Sequence, residues 1–511
     1  MSWKPASPPP EPTPEPEVDE VMAEAAAAIV VPVNVADLVA PPVRRPAPQR
    51  HMVVVGVDFG TSGTKVVFRD GLEKGRPPRV VDWATDLPGF SRFSFPSTVA
   101  LAGDQILVGS EAEGSAAPDA ILRSVKMLLL AGARDGTAFA AALRARGGAA
   151  SRVHDPHALA AAVLLAEVVR QTVNLAMREF RGLDVEQEIS FNLDVPVDHS
   201  TPSEEWHRFR RTLDVAVEMA MELGAERRTQ VLAEAWIEIE QRVRLHPVPE
   251  SERRRHVVPE ALAVLEGVRG FASPVWGRNY AVVDIGAGTT DVGIFRVVSA
   301  DWSETVPFFA ARSLPTGGDH LDRWISDALV PSGSSDAELV ARVRAAKKSL
   351  AGGRRTVVRH DGLSHTLEPR LLRDAVEAVG GALLGHYAST FGQAYAKEPN
   401  QRYWPELHTM VVGGGSLIEP LRAGFSQLSH AQKFCKVHLA HVSELVESTP
   451  TLVVGASSSA PGTADLPFLV AAMGLSYPEP LMRGYKRPEE VPVTREIPAR
   501  ESTYAYEAEL Y

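Results

Sequence analysis

Two eight-residue stretches constrain this chain more than any other feature: Asp58-Phe-Gly-Thr-Ser-Gly-Thr-Lys65 and Asp284-Ile-Gly-Ala-Gly-Thr-Thr-Asp291, whose leading aspartates stand 226 positions apart (284 − 58). Each follows an apolar run of β type, Val53 to Val57 in one case and Tyr280 to Val283 in the other. Each passes from aspartate through Gly and Thr back into β-branched residues. That pattern predicts a strand, a tight turn and a second strand. Glycine lets such a turn come close to a ligand, and its exposed N–H groups and hydroxyls can cradle phosphate oxygens. The aspartates then stand where a hydrated Mg²⁺ bridges phosphates. Two such hairpins predict two similar lobes facing each other across one nucleotide. Thr61, Ser62, Thr289 and Thr290 are ordinary turn residues taken singly, but their repeated placement beside Asp58 and Asp284 argues for a shared task.

A chain of 511 residues has room for one large or two to three ordinary domains. A hydrophobic content of 45% is that of a globular protein with an ample core. The net charge of −11 weighs against nucleic acid as a partner, because neutralising phosphates needs a basic surface. Cys435 is the only cysteine, so no internal disulfide is possible and a reducing compartment is expected. No apolar run approaches the ~20 residues that span a bilayer. Met22 to Val31 is interrupted by Glu24 and lacks a basic residue just before it, which makes a poor signal peptide. The expectation is a cytoplasmic protein with neither nucleic acid nor membrane as partner.

Residues 1–50 hold 12 of the 39 prolines, with acids between them from Pro8 to Glu20. Such a segment cannot repay its ordering entropy and is expected to be a disordered Pro/Ala-rich tail. Residues 51 to about 130 are β-rich. Residues 157–180 are apolar at helical spacing and predict a buried helix. Ile189 to Val195 reads as a strand closed by Pro196. Residues 203–256 carry long helical patterns dense in Glu and Arg, the mark of a solvated face, with Trp206 and Trp236 among them. These tryptophans are either partner anchors or buried packing residues; the sequence leaves both open. A second αβ set runs from 280 to 475, and little fold is expected beyond about 480.

The duplicated hairpin resembles the actin-like ATPase superfamily of actin, sugar kinases and the seventy-kilodalton heat-shock chaperones. Val411-Val-Gly-Gly-Gly-Ser-Leu-Ile-Glu-Pro-Leu-Arg422 resembles that superfamily's adenosine loop. Phe95 to Gly109 is similar to the chaperone segment after the first hairpin, and Ser124-Val-Lys126-Met-Leu-Leu is similar to the chaperone helix whose lysine enters the active site. Leu314-Pro-Thr-Gly-Gly-Asp-His-Leu-Asp322 resembles the glycine pair beneath the ribose and phosphates, and Arg344-Ala-Ala-Lys-Lys-Ser-Leu350 the helix that brackets adenine.

The resemblance implies a duplicated actin-like α/β fold, with two lobes around a central nucleotide cleft: lobe I over 51–270, including a charged helical insertion at about 203–256, lobe II over 271–480, and a tail at 481–511. It implies Mg²⁺ and ATP or ADP as cofactors, with Asp58 and Asp284 as metal ligands. Thr61, Ser62, Gly63, Gly286, Ala287, Gly288 and Thr289 would contact phosphates, with Gly317, Gly318, Lys347, Lys348, Gly414, Gly415, Ser416 and Asp465 as further nucleotide contacts. Lys126, Glu260 and Asp284 would carry catalysis. On composition alone Lys126 reads equally well as a solvated helix lysine. Three departures stand out. The acid follows the proline in Val257-Val-Pro-Glu260, as in plasmid-segregating actin-like filament proteins; Arg344 stands where the chaperones have an acidic adenine contact; and Ile418 stands where they have an arginine. About 31 residues follow position 480 (511 − 480), where a peptide-clamping β-sandwich needs on the order of 100. The resemblance therefore implies the chaperone ATPase without its peptide-binding domain: a slow ATPase that switches a folded protein partner through the insertion or the tails. A carbohydrate-type kinase, a filament-forming ATPase and a non-hydrolysing scaffold stay open as alternatives.

Other patterns carry less. Gly286-Ala-Gly288 lacks the third glycine of a dinucleotide fingerprint, since position 291 is Asp. Lys65 lacks the glycines of a Walker loop. His154-Asp-Pro-His157, with no cysteine nearby, reads as a loop histidine pair and not as half a metal site.

Overall fold

The computed structural model describes residues 50–493 apart from 74–75, 116–117, 133–136, 197–202, 250–252, 270–277, 301–302, 331–336, 428–434, 442–451, 456–460, 463–464 and 479–484. The expected N-terminal tail, save Arg50, and residues 494–511 lie outside this range. The chain is mixed α/β, as the alternation of strand and helix patterns predicts.

Strand β1 (Val53–Phe59) is buried at every position, which is how a central strand covered on both faces reads. It turns into β2 (Gly63–Asp70), which pairs with it antiparallel; β3 (Arg79–Asp82) pairs antiparallel with β2. On the other side of β1, β4 (Ile189–Val195) and then β5 (Arg255–Pro259) add in parallel. The second sheet repeats this sequence of pairings. β6 (Asn279–Ile285), again buried throughout, pairs antiparallel with β7 (Thr290–Arg296), and β7 antiparallel with β8 (Ser303–Leu314). β9 (Glu406–Val412) and β10 (Lys436–His441) continue in parallel beyond β6. The short strand Leu452–Gly455 returns to the first sheet, parallel to β3.

Helices cover both sheets. α1 (Val125–Ala131), α2 (Pro156–Glu179), α3 (Glu204–Leu223) and α4 (Thr229–Leu245) accompany the first. α5 (Glu260–Arg269) follows β5 without a break, and α6 (Gly318–Leu329), α7 (Ala337–Ala351) and α8 (Pro369–Lys397) accompany the second. α9 (Leu466–Leu475) packs on α5, β1 and β2. Strand alternation assigns each core its residues. Val53, Val55, Val57 and Phe59 share one core with Leu159, Phe209 and Trp236. Ala281, Val283 and Ile285 share another with Leu321, Phe391 and Trp404. A third joins Val67 and Val80 of the first sheet to Val282 and Phe295 of the second through α5 and α9. Those two helices meet backbone to backbone: a Cβ on Gly474 would collide with the Ala263 carbonyl, so only glycine allows the approach.

Several expectations are refined here. The charged stretch 203–256 has the solvated face expected of it, with Arg208–Glu204 and Arg244–Glu240 paired four residues apart, and the other faces of α3 and α4 place Phe209, Leu213, Val217 and Trp236 in the first core. Trp236 is 1% exposed and is therefore a packing residue, while Trp206 is partly buried under Arg210. His157 lies in the first turn of α2, buried and bonded to Thr137, not in a loop. Beyond 480, Tyr485–Lys486 pairs with β8 and Val491 is buried, so part of the expected tail is folded onto the second sheet. α2 is long and apolar enough to cross a membrane, but 72% of its most apolar window is buried inside the protein, where it serves as a core helix.

Candidate functional site

The two hairpin turns meet. Gly288 in the β6–β7 turn lies against Thr61 in the β1–β2 turn, so that a Cβ on Gly288 would stand 2.7 Å from the Thr61 hydroxyl. Behind the turns, five buried carboxylates gather: Asp58 at the end of β1, Asp194 in β4, Glu260 at the start of α5, and Asp284 and Asp291 facing each other across β6 and β7. One oxygen each from Asp58, Asp194 and Glu260 lie within 4.8 Å of one another.

Two ammonium groups enter this cluster. Lys126 is 1% exposed; its Nζ donates to Asp194 Oδ2 at 2.8 Å and lies 3.5 Å from Glu260. The side chain starts from the first turn of α1, just after Ser124, which holds a left-handed φ of 57°. That conformation costs a non-glycine residue about 1 kcal/mol, strain of the kind found where a fold over-determines a functional position. Lys65 is paired with Asp58 both in strand register and by charge, at 3.1 Å. The other Asp194 oxygen accepts the Phe59 N–H at 2.6 Å and so ties β4 to the first turn.

Five carboxylates against two lysines leave three negative charges in excess (5 − 2) if all ionise. The titration behaviour follows. Burial raises the Asp58 carboxyl, with Lys65 pulling it down and Asp194 pushing it up. Burial drives Glu260 well above the usual glutamate value despite Lys126, and Asp291, Asp194 and Asp284 add to the rise. Asp284 is pushed up to about 7, by burial first and then by Asp58 and Asp291. Burial works against the charge on Lys126, but Asp194, Glu260 and Asp58 outweigh it and hold the ammonium charged. An oxygen-only donor set with surplus negative charge suits a hard divalent cation such as Mg²⁺. Asp58 is paired with Lys65, and Asp194 and Glu260 with Lys126, so a cation here would share its acids with the two lysines.

The remaining expected residues fall into three groups. Ser62 and Gly63, and Gly286, Ala287 and Thr289, form the two turns; the Gly286 N–H donates to Thr289 O at 2.9 Å. Gly317 and Gly318 lie on the second turn, the Gly318 N–H donating to Gly286 O at 3.0 Å and the Asp319 N–H to Ala287 O at 2.8 Å. Gly414, Gly415 and Ser416 form a 3-10 turn after β9 that packs on Ile285, and Ser416 Oγ donates to Gly413 O. The α7 residues differ among themselves. Lys347 bonds Asp322 at 2.8 Å and Gly318 O at 3.1 Å, Arg344 bonds Asp319 at 3.0 Å, and Lys348 is exposed. Ile418 is buried, and Asp465 precedes α9 and accepts the Gly462 N–H at 2.9 Å.

Sequence reasoning missed Asp194, Lys65 and Asp291 as members of the cluster. Lys65 and Asp291 had a shared signal, since each stands seven positions after its turn's aspartate, directly across the hairpin. Asp194 had a weaker one: a lone acid in a strand buried at nearly every position needs a buried partner. Compared with known proteins, the chain matches no family model and no curated protein.

Proposed function

We propose that this chain is a Mg-ATP-binding, slowly hydrolysing protein of the heat-shock-seventy type, built as a duplicated actin-like fold whose two lobes close on one nucleotide. The observation that carries this reading is the meeting of two glycine-containing hairpin turns, each with a buried aspartate behind it, around a buried lysine and glutamate. The repeated order of pairings in the two sheets supports the duplication.

Mg²⁺, held by Asp58 and Asp284, would supply positive charge to the β- and γ-phosphate oxygens. The chain's own groups do the rest. Backbone N–H groups and hydroxyls of Thr61, Ser62 and Thr289 bind phosphate from both sides. Lys65, whose Nζ would stand 2.8 Å from a Cβ on Gly60, adds an ammonium at the first turn. Lys126 orients the attacking water and stabilises charge on the γ-phosphate, and Glu260 helps to position that water. A loose transition state needs positioning more than deprotonation. Both Asp194 oxygens are engaged by Lys126 and the Phe59 N–H, which leaves no free carboxylate base there for a sugar hydroxyl and weighs against a kinase. Admitting a nucleotide requires the Thr61–Gly288 contact, and that of Gly89 with Ala345 on α7, to open. Such an opening gives nucleotide state a way to reach a partner protein.

The test is nucleotide binding and phosphate release by purified protein with and without Mg²⁺. ATP binding that needs Mg²⁺, with turnover of minutes or slower, is expected; no binding of ATP or ADP under any metal condition would overturn the reading.

A further inference from the structure

Far along the first lobe from the hairpin turns in sequence, α3, the end of α4 and the entry to β5 enclose a second site. It is a cavity of about 340 Å³ and, among the described residues, six of its lining side chains are arginines: Arg210, Arg211, Arg242, Arg244, Arg253 and Arg255. Among the described residues, Asp214 and Glu218 are the acids that line it. In a chain of net charge −11, this wall carries an excess of four positive charges (6 − 2). Counting Glu222 and Glu240, which pair with Arg242 and Arg244 from outside the lining, leaves two (6 − 4).

Part of this charge serves the fold, since Arg242 and Arg244 sit in the last turn of α4, where cations complement the helix dipole. Dipole compensation does not account for four more arginines from two other elements. Several are held in place before any ligand arrives. Arg255 bonds Glu218 at 2.6 Å, and Arg210 stacks 4.9 Å over the Trp206 ring. Around Arg210 and Arg211 the local field is positive by its effect on neighbours: burial, then Arg210 and Arg211, lower the His207 pKa, and burial, then Arg244, lower that of Arg211, whereas the hydrogen bond to Glu222 raises that of Arg242. Guanidinium forks converging on a cavity of this size match phosphate geometry, which they bind through paired N–H donors.

We propose that this cavity binds a small, multiply charged phosphate anion, a phosphomonoester or pyrophosphate group of charge about −2 to −4. The charge range follows from the excess of two to four counted above. The site is independent of the nucleotide reading, being built from α3, α4 and the approach to β5.

Calorimetric titration of the full chain with inorganic phosphate and with pyrophosphate tests it. EDTA is kept present so that no metal bridges pyrophosphate to the acidic cluster. Pyrophosphate is expected to bind more tightly than phosphate, and to weaken steeply as salt rises from roughly 50 to 200 mM. The double variant Arg210→Gln/Arg211→Gln should lose at least tenfold in affinity. Arg242→Gln, at a more exposed position that leaves the core untouched, should lose several-fold. Arg228→Gln, outside the cavity, should bind as the unmodified protein does. Pyrophosphate should also raise the Tm of the unmodified protein and not that of the double variant. Absence of pyrophosphate binding at low salt, or equal affinity in all three variants, would overturn the proposal.

Discussion

Gly288 and Thr61 belong to turns more than two hundred residues apart, yet they pack so closely that a methyl group on Gly288 would come within 2.7 Å of the Thr61 side chain and 3.0 Å of Met127.

Gly288→Ala should force these turns apart. Overpacking of this kind costs roughly 1–3 kcal/mol, to be read from the urea midpoint; on the proposed reading nucleotide affinity should fall at least tenfold, because the turn that would cradle the phosphates from the second side is displaced. Unchanged stability would mean that the turns do not touch in solution.

On the proposed reading, Asp284→Asn should lower ATP turnover at least tenfold while the fold persists, because the lost charge would belong to the metal shell and not to packing. In the unmodified protein, Mg²⁺ should raise Tm more at pH 8 than at pH 5, since protons compete for Asp284, whose pKa lies at about 7. An equal rise at both pH values would remove Asp284 from the cation site.

Lys126→Met should reduce turnover with nucleotide affinity kept within a few-fold, the mark of a group acting in the transition state. It also strips Asp194 and Glu260 of their counter-ion. Breaking a buried pair costs about 3–5 kcal/mol, and that loss should shrink toward pH 5 as the freed carboxylates take up protons. Equal losses at pH 5 and pH 8 would show that the lysine is replaced by packing alone.

Glu167 on α2 bonds Arg170 at 2.6 Å and Arg227, in the α3–α4 connection, at 2.9 Å. Burial favours its protonation, but the hydrogen bonds from Arg170, Gln171 and Arg227 win and bring its pKa down to about 2. A folded pKa below the unfolded value near 4.5 contributes stability that is present above pH 4.5 and lost as pH falls toward 2. The amount is on the order of 3 kcal/mol, so Glu167→Gln should be markedly less stable at pH 7, with the gap shrinking to about 1 kcal/mol at pH 2.5. Denaturant titrations at the two pH values decide it.

Much of the frame was legible. The predicted helix over 157–180 is α2, and the strand from Ile189 to Val195 is β4 residue for residue. Both hairpins turn at the expected glycines. These features rest on local rules, namely the period of apolar residues and the turn chemistry of Gly and Thr, which act over a few positions. The charged stretch left the tryptophans open because Glu and Arg density describes one face of α3 and α4 and says nothing of their other face, where Phe209, Leu213 and Trp236 are core.

By itself, then, the sequence determined where the strands, turns and long helices fall, and that two acidic turns of one design exist. Tertiary structure decided what those turns meet. It set Lys126 on Asp194, 68 residues away, and Lys65 on Asp58; it returned Leu452–Gly455 to the first sheet; and it brought arginines from α3, α4 and β5 around one cavity. Periodicity reports which side of an element is buried, because burial is a property of each residue. Which charge faces which is a property of pairs distant in the chain, fixed only when the sheets and helices pack.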